Sequence, residues 1–284
     1  MVADRVKNIV AFSNYFRTDY PQLYEELERI LKSNNIECRT IQGTADYWCR
    51  DYMPVQVNAN KCVRFQYTPD YLDQQKSYRT LVTNVMVHSI VPKMEVEDCP
   101  LVVDGGNVVC YNNCVVMTEK VFSENPRFSQ KEIVELLSSA FETDNIVFVP
   151  WEGKRYDKFG HTDGMLRFVS GDNCVKPSVL VNLSVYGKRY ATRVRDILNR
   201  VFNVMDLELS VADDMSWAYI NYLMTENVII VPGVDSPNDQ VAFNQLERIF
   251  PEYKGRIFQV QMRDFINRGG GALNCCSWTI QSTI

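Results

Sequence analysis

Short apolar runs rich in β-branched residues recur along all 284 residues of the chain, and amphipathic helical patterns separate them. The runs at 9–12, 114–117, 146–149, 179–183 and 228–231 each read as a buried or half-buried strand. Residues 20–32 place Leu23, Leu27 and Leu31 on one helical stripe, with Pro21 in the first turn. Residues 129–141 place Ile133, Leu136, Leu137 and Ala140 on one face, and Ser129 with Glu132 spells a capping box. Further helices are predicted over 192–202 and 238–249. Strands alternating with helices restrict the chain to an α/β architecture. No Gly/Ser/Pro-rich linker divides it, so one domain over 1–284 is expected. The polar, irregular stretch 150–158 is the one place for a hinge.

Composition narrows the function classes. Apolar residues are 46% and charged residues 23%, the proportions of a folded soluble protein. The net charge of −5 and the lack of a basic run argue against a nucleic-acid partner. The N-terminal residues lack a secretory pattern, and no apolar run is long enough to span a bilayer, so a cytoplasmic protein without a membrane partner is expected. The nine cysteines are scattered, without Cys-x-x-Cys or a histidine cluster, which predicts reduced thiols and no metal site.

Chemistry concentrates in four places. His161, one of two histidines, sits in Phe-Gly-His-Thr-Asp-Gly at 159–164. In an extended segment His161 and Asp163 would share a face, one moving protons and one binding a cation. A solvated surface turn is the competing reading. Cys275 follows Gly269, Gly270 and Gly271. Glycines there permit close approach to the main chain, and an activated thiol is a nucleophile. The alternative is a flexible loop before a last strand, with Cys275 and Cys276 in the core. In a strand these two would face opposite sides, so only one enters a site. Segment 44–54 packs Asp46, Trp48, Arg50 and Asp51 together. It offers either a carboxylate beside an aromatic wall to a guanidinium, or an Arg50 ion pair on a surface strand. Asp104-Gly105-Gly106-Asn107 reads as a hairpin turn, or supplies a carboxylate that orients His161. A base, carboxylates and a thiol suit covalent catalysis at a carbon bonded to nitrogen.

Taken together, these segments resemble the agmatine deiminase and bacterial-type peptidylarginine deiminase family of guanidine-modifying enzymes. Thr44, Asp46, Trp48, Arg50, Asp51 and Pro54 meet its Thr-Asn-Asp-x-Trp-x-Arg-Asp-x-Gly-Pro motif, with Ala45 and Met53 departing. Asp104 to Asn107 meets Glu-Gly-Gly-Asn with a shorter acid. Gly160, His161, Asp163, Gly164, Arg167 and Phe168 meet Gly-His-x-Asp-Gly-x-x-Arg-Phe in full. Ala218 to Asn221 is similar to Ser-Tyr-x-Asn. Gly269 to Cys275 meets Gly-Gly-Gly-Gly-Ile-His-Cys with Ala272, Leu273 and Asn274 substituted.

The resemblance implies a five-fold pseudosymmetric α/β propeller of the pentein type, built from repeated strand–helix units. The motif anchors Asp51, Asp104, His161, Asn221 and Cys275 are separated by 53, 57, 60 and 54 residues, as repeated units around a central site require. It further implies Cys275 as nucleophile, His161 as acid and base, and Asp104 as the group orienting His161. Asp51 and Asp163 would bind the guanidinium, with Trp48, Arg50 and Asn221 also on the substrate side. Neither metal nor organic cofactor is implied. The expected partner is a small-molecule or peptidyl guanidinium, and a homodimer is compatible with the family. The reaction implied is hydrolysis to a ureido product and ammonia. An amidinotransferase and a silent guanidine-binding protein are the alternatives. The differences at Asp104 and Asn274 weaken agmatine as the particular substrate.

Overall fold

A computed structural model describes residues 1–72, 75–170, 176–211 and 214–282. Five three-stranded sheets contain all the strands among these residues. In each, a central strand pairs antiparallel with one neighbour and parallel with the other. The second sheet runs Val55–Asn58, Lys61–Gln66, Glu95–Val102. The third runs Val109–Tyr111, Cys114–Thr118, Ile146–Val149. The fourth is Leu166–Ser170, Ser178–Val181, Asn203–Asp206, and the fifth Leu223–Met224, Ile229–Gly233, Ile257–Gln261. The first sheet joins the two ends of the chain: Ser277–Ile280 pairs antiparallel with Ile9–Ser13, which pairs parallel with Glu37–Ile41. This is the five-fold pseudosymmetric α/β propeller.

Helices cross from the central to the parallel strand of each unit. They span Pro21–Ser33, Asn84–His88, Gln130–Phe141, Lys188–Val201 and Asn238–Ile249. Local chemistry explains their ends. Pro21 opens the first. The Ser129–Glu132 capping box is formed in the third.

The ring is held by central strands buried on both faces, which is why they read as continuous apolar runs. Val10 and Phe12 enter one core cluster while Ile9 and Ala11 enter another. Val116 likewise packs on one side, and Val115 with Met117 on the other. The first four sheets are thereby walls shared by two clusters, the fifth lies within one of them, and the antiparallel strand of each sheet is preceded by a turn that points at the common axis.

Candidate active site

These five inward turns carry the motif residues. Asp51 lies in the short helix Cys49–Tyr52, and Asp104 caps the 3-10 turn Gly105–Asn107. His161 caps the turn Thr162–Gly164 that holds Asp163. Asn221 ends the turn Ser216–Ile220, and Cys275 precedes Ser277–Ile280. Hydrogen bonds link each turn to the next and close the circle. Gly106 N donates to Asp51 Oδ1 (3.0 Å), and Thr162 Oγ1 to Asn107 Oδ1 (2.9 Å). Asn221 Nδ2 donates to Asp163 O (3.4 Å), Cys275 N to Asn221 Oδ1 (3.2 Å), and Arg50 N to Cys275 O (3.0 Å).

At one end of the axis the ring opens into a cavity of about 1080 Å³, lined among others by Trp48, Asp51, His161, Asp163, Asn221 and Cys275. Cys275 Sγ lies 3.8 Å from Asp163 Oδ2, which also accepts from Asn274 Nδ2 at 2.6 Å. His161 Nε2 is 3.0 Å from Asp104 Oδ2, and its Nδ1 is 3.6 Å from Asp51 Oδ1. The shorter acid at 104 therefore still reaches the imidazole. Gly106 makes the close approach possible: a Cβ there would come within 2.6 Å of Asp51 Oδ1 and 2.7 Å of His161 Nδ1. The glycine run before Cys275 has a similar cause. A Cβ on Gly269 or Gly271 would lie 2.4 or 2.3 Å from the Trp48 ring, so the indole rests on bare backbone.

Electrostatics follow from burying many carboxylates with few cations. Burial disfavours the charged imidazole, but Asp51, Asp104 and Asp163 outweigh it and raise His161 to about 9. With both ring nitrogens protonated, Nε2–H donates to Asp104 and Nδ1–H faces Asp51 and the cavity. Burial pushes Asp51 up to about 7, assisted by Asp104 and Asp163. Burial, Asp163 and Asp51 push the Cys275 thiol well above its ordinary value. The site thus holds a thiol, an imidazolium and the side chains of Asp51 and Asp163 along one cavity. Asp163 Oδ1 is buried and has no hydrogen-bond partner. Among the described residues, no group of three or more His, Cys, Asp or Glu side chains is arranged to hold a metal ion. Nor is any helix among them long and apolar enough to cross a membrane.

Several sequence expectations change in detail. Arg50, expected on the substrate side, turns away from the cavity. Its Nη2 donates to Asn274 Oδ1 (3.0 Å) and Thr279 Oγ1 (3.1 Å), and it lines a small void on the other side of the ring. The cause is its position in the helix Cys49–Tyr52, where the next residue, Asp51, takes the face toward the axis. Residues 104–107 form a 3-10 turn between two sheets, not a hairpin. Cys276 is fully buried in the core, with Sγ toward Leu273 O. Residues 150–158 wrap a cavity wall, where Trp151 Nε1 donates to Asp157 O. The sequence reading missed Asp70, Tyr71 and Lys120. Lys120 and Glu124, four residues apart beside buried Val121, were the available signal.

Residues 3–280 match the model of the Porphyromonas-type peptidyl-arginine deiminase family. The chain belongs to that family. Among named relatives, it is 24% identical over 209 residues to the agmatine deiminase of Pseudomonas aeruginosa, covering 61% of this chain and 55% of that one. The matched segment thus spans about half the length of such curated relatives. The fold is similar to the crystallised agmatine deiminase of C. jejuni, with a TM-score of 0.77, 15% identity, and coverage of 99% and 95% of the two chains. It is also similar to DDAH from Pseudomonas aeruginosa, with a TM-score of 0.62, 12% identity, and coverage of 97% and 100%.

Proposed function

We propose that this chain hydrolyses a guanidinium compound to a ureido product and ammonia, with Cys275 as the nucleophile. The observation that carries the reading is the convergence of the Cys275 thiol, the His161 imidazolium and the carboxyl groups of Asp51 and Asp163 on one cavity, with Asp163 Oδ1 buried and without a hydrogen-bond partner. A guanidinium is planar and cationic. Two carboxylates on opposing turns can each take a pair of its N–H groups. Its charge offsets theirs, and the Cys275 thiol then loses its proton to solvent more readily.

The chemistry balances from there. The thiolate adds to the central carbon, giving a neutral tetrahedral adduct. His161 protonates one nitrogen, which leaves as ammonia, and a thiouronium remains on Cys275. Neutral His161 takes a proton from water as the oxygen adds to the same carbon. Expulsion of the thiolate and loss of one proton give the ureido product. Asp104 holds the imidazole with Nδ1–H toward the reacting nitrogen.

The cavity walls favour a substrate tail without a carboxylate. Among the described residues, Asp19, Asp46, Asp157 and Asp214 line it together with the aromatic rings of Tyr47, Trp48, Tyr71, Phe159 and Trp217, against Lys158 and Arg268 on the basic side. An alkylguanidine ending in an amine, such as agmatine, meets attractive charge there, and free arginine meets repulsion. Residues 1–284 act as one unit in this reading, in a reducing, cytoplasmic setting that suits the eight free cysteines among the described residues.

The test is to incubate the purified chain with agmatine, arginine, a blocked arginyl peptide and simple alkylguanidines, following ureido product and ammonia together. One-to-one release, fastest from agmatine, is expected. Product appearing only when an amine acceptor is added would make the chain an amidinotransferase. No product from folded protein under either condition would leave a binding protein.

A further inference from the structure

Lys120 is a buried cation that the reaction above does not use. Its side chain is 1% exposed, and a lysine so removed from water stays charged only beside anions. It has three. Nζ lies 3.1 Å from Glu124 Oε1, 3.6 Å from Asp70 Oδ1 and 3.7 Å from Asp104 Oδ2, and it sits 4.8 Å from the centre of the Tyr71 ring. Burial works against its charge, but the three carboxylates outweigh burial and hold its pKa above the ordinary lysine value. Asp104 Oδ2 is also the atom that His161 Nε2 contacts at 3.0 Å. Charges therefore alternate along one path, from Glu124 through Lys120, Asp104 and His161 to Asp51.

The backbone fixes this path. A Cβ on Gly160 would come within 2.7 Å of Lys120 Cδ, so the main chain just before His161 lies against the lysine stem. Thr118 Oγ1 donates to Gly160 O at 2.6 Å, tying the strand that precedes Lys120 to the turn that carries His161. Asp70 is held from its other side by Lys154 Nζ at 2.8 Å.

We propose that Lys120 is a positioning residue for the His161–Asp104 pair: its ammonium, 3.7 Å from Asp104 Oδ2, holds that carboxylate in place against the imidazole and offsets its charge there. The proposal rests on the acid–base role given to His161 above. Remove the lysine charge, and Asp104 faces Asp70 and Glu124 on one side, and Asp51 and Asp163 around His161, balanced by the imidazolium and by Lys154 on the far side of Asp70. Burial already pushes Asp51 and Glu124 up to about 7, so the group of acids takes up protons near neutrality. Tyr67 and Tyr71 supply no charge, because burial raises both phenols well above their ordinary value. Cys275 remains a neutral thiol for the same reason. Those acids are charged again in the higher range where His161 titrates, so loss of the lysine cation leaves the imidazole in a more negative surround that holds its proton to higher pH.

The chain has only two histidines, so imidazole NMR reads His161 without any turnover, and a His88→Gln variant assigns the signals. His161 should titrate near pH 9 in the parent protein. In Lys120→Met, which keeps length and bulk, the midpoint should rise by about one unit, a tenfold change. Lys120→Arg should stay close to the parent. The break in kcat/KM near pH 9 should move up with the midpoint, with KM at neutral pH changing less than the rate. An unchanged midpoint in folded Lys120→Met, or equal shifts in the Met and Arg variants, would overturn the proposal. Should Lys120→Met not fold, the parent protein still decides. Its Lys120 ammonium must titrate above the ordinary lysine value, and a lysine already neutral at pH 9 contradicts the idea. A shifted His161 in a protein that turns over no guanidine would leave this inference standing and sink the proposed function. Turnover with an unshifted His161 would do the reverse.

Discussion

The two ends of the propeller axis hold aspartates and treat them oppositely. At the closed end the partly exposed Asp4 lies between Lys7 Nζ (2.9 Å) and Arg167 Nη2 (2.7 Å), beside a void of about 20 Å³, room for about one water. Desolvation works against the charged form of Asp4, but Lys7 and Arg167 hold its carboxyl well below the usual range. At the other end Asp51 and Asp163 have no lysine or arginine ion-pair partner among the described residues, and burial pushes Asp51 up. An anion with its cation in place is structure. Buried anions facing a cavity without their cation describe the ligand that belongs there. That contrast also separates the two arginines in the motifs: Arg50 and Arg167 both serve the closed end, and neither enters the cavity.

The contrast can be broken most severely at the thiol. Cys275→Ala should lower turnover by on the order of 10⁴-fold, whereas Cys276→Ala should retain it per folded molecule, because Cys276 is sealed in the core. An inactive but folded Cys276 variant beside a working Cys275 variant would reverse the assignment. At the clamp, Asp51→Asn and Asp163→Asn should each weaken guanidine binding by about 10- to 100-fold, as charge-assisted bonds worth about 1.5–3 kcal/mol are lost. Direct binding measurements would show it.

The pH profile comes next. Asp51 must be ionised to bind a cation, Cys275 ionised to attack and His161 protonated to release ammonia. The kcat/KM of the empty enzyme should therefore climb with pH through the ionisation of Asp51 near 7 and of the Cys275 thiol, and stop climbing at about 9, where His161 loses its proton. A profile still rising past pH 10 would contradict His161 as the acid. The smallest effect belongs to the closed end. Asp4→Asn should cost about 1–2 kcal/mol of stability in denaturant unfolding, discounted because Asp4 is partly exposed, and should leave guanidine affinity within a factor of two.

Sequence pattern was most informative where the apolar signal is local. The strand at 146–149 and the helix at 238–249 match the structure residue for residue. The helix expected from 192 begins at Lys188, because its first turn is basic and polar apart from Tyr190, whose hydroxyl reaches Pro150 O. The closure of the first sheet was not legible, since Ile9 and Ile280 pair across nearly the whole chain and no local signal encodes that. The motif residues reach one site because each stands just ahead of a first strand. Spacing could show their repetition, but not the direction of each side chain. Periodicity placed Arg50 beside Asp51 and could not say that they would take opposite sides of the ring. Lys120 escaped because a lysine after an apolar strand ordinarily marks solvent, and its anionic neighbours come from three separate segments.

The claim that the open end awaits a guanidinium is tested most directly by calorimetry of agmatine with Cys275→Ala protein, in buffers of different ionisation enthalpy. The account predicts tight binding that releases protons near pH 7, as the ligand drives Asp51 into its charged form, with both affinity and proton release lost in the added Asp51→Asn change. Folded protein that binds no guanidinium, or that binds one equally well with Asp51 and Asp163 neutralised, would contradict it.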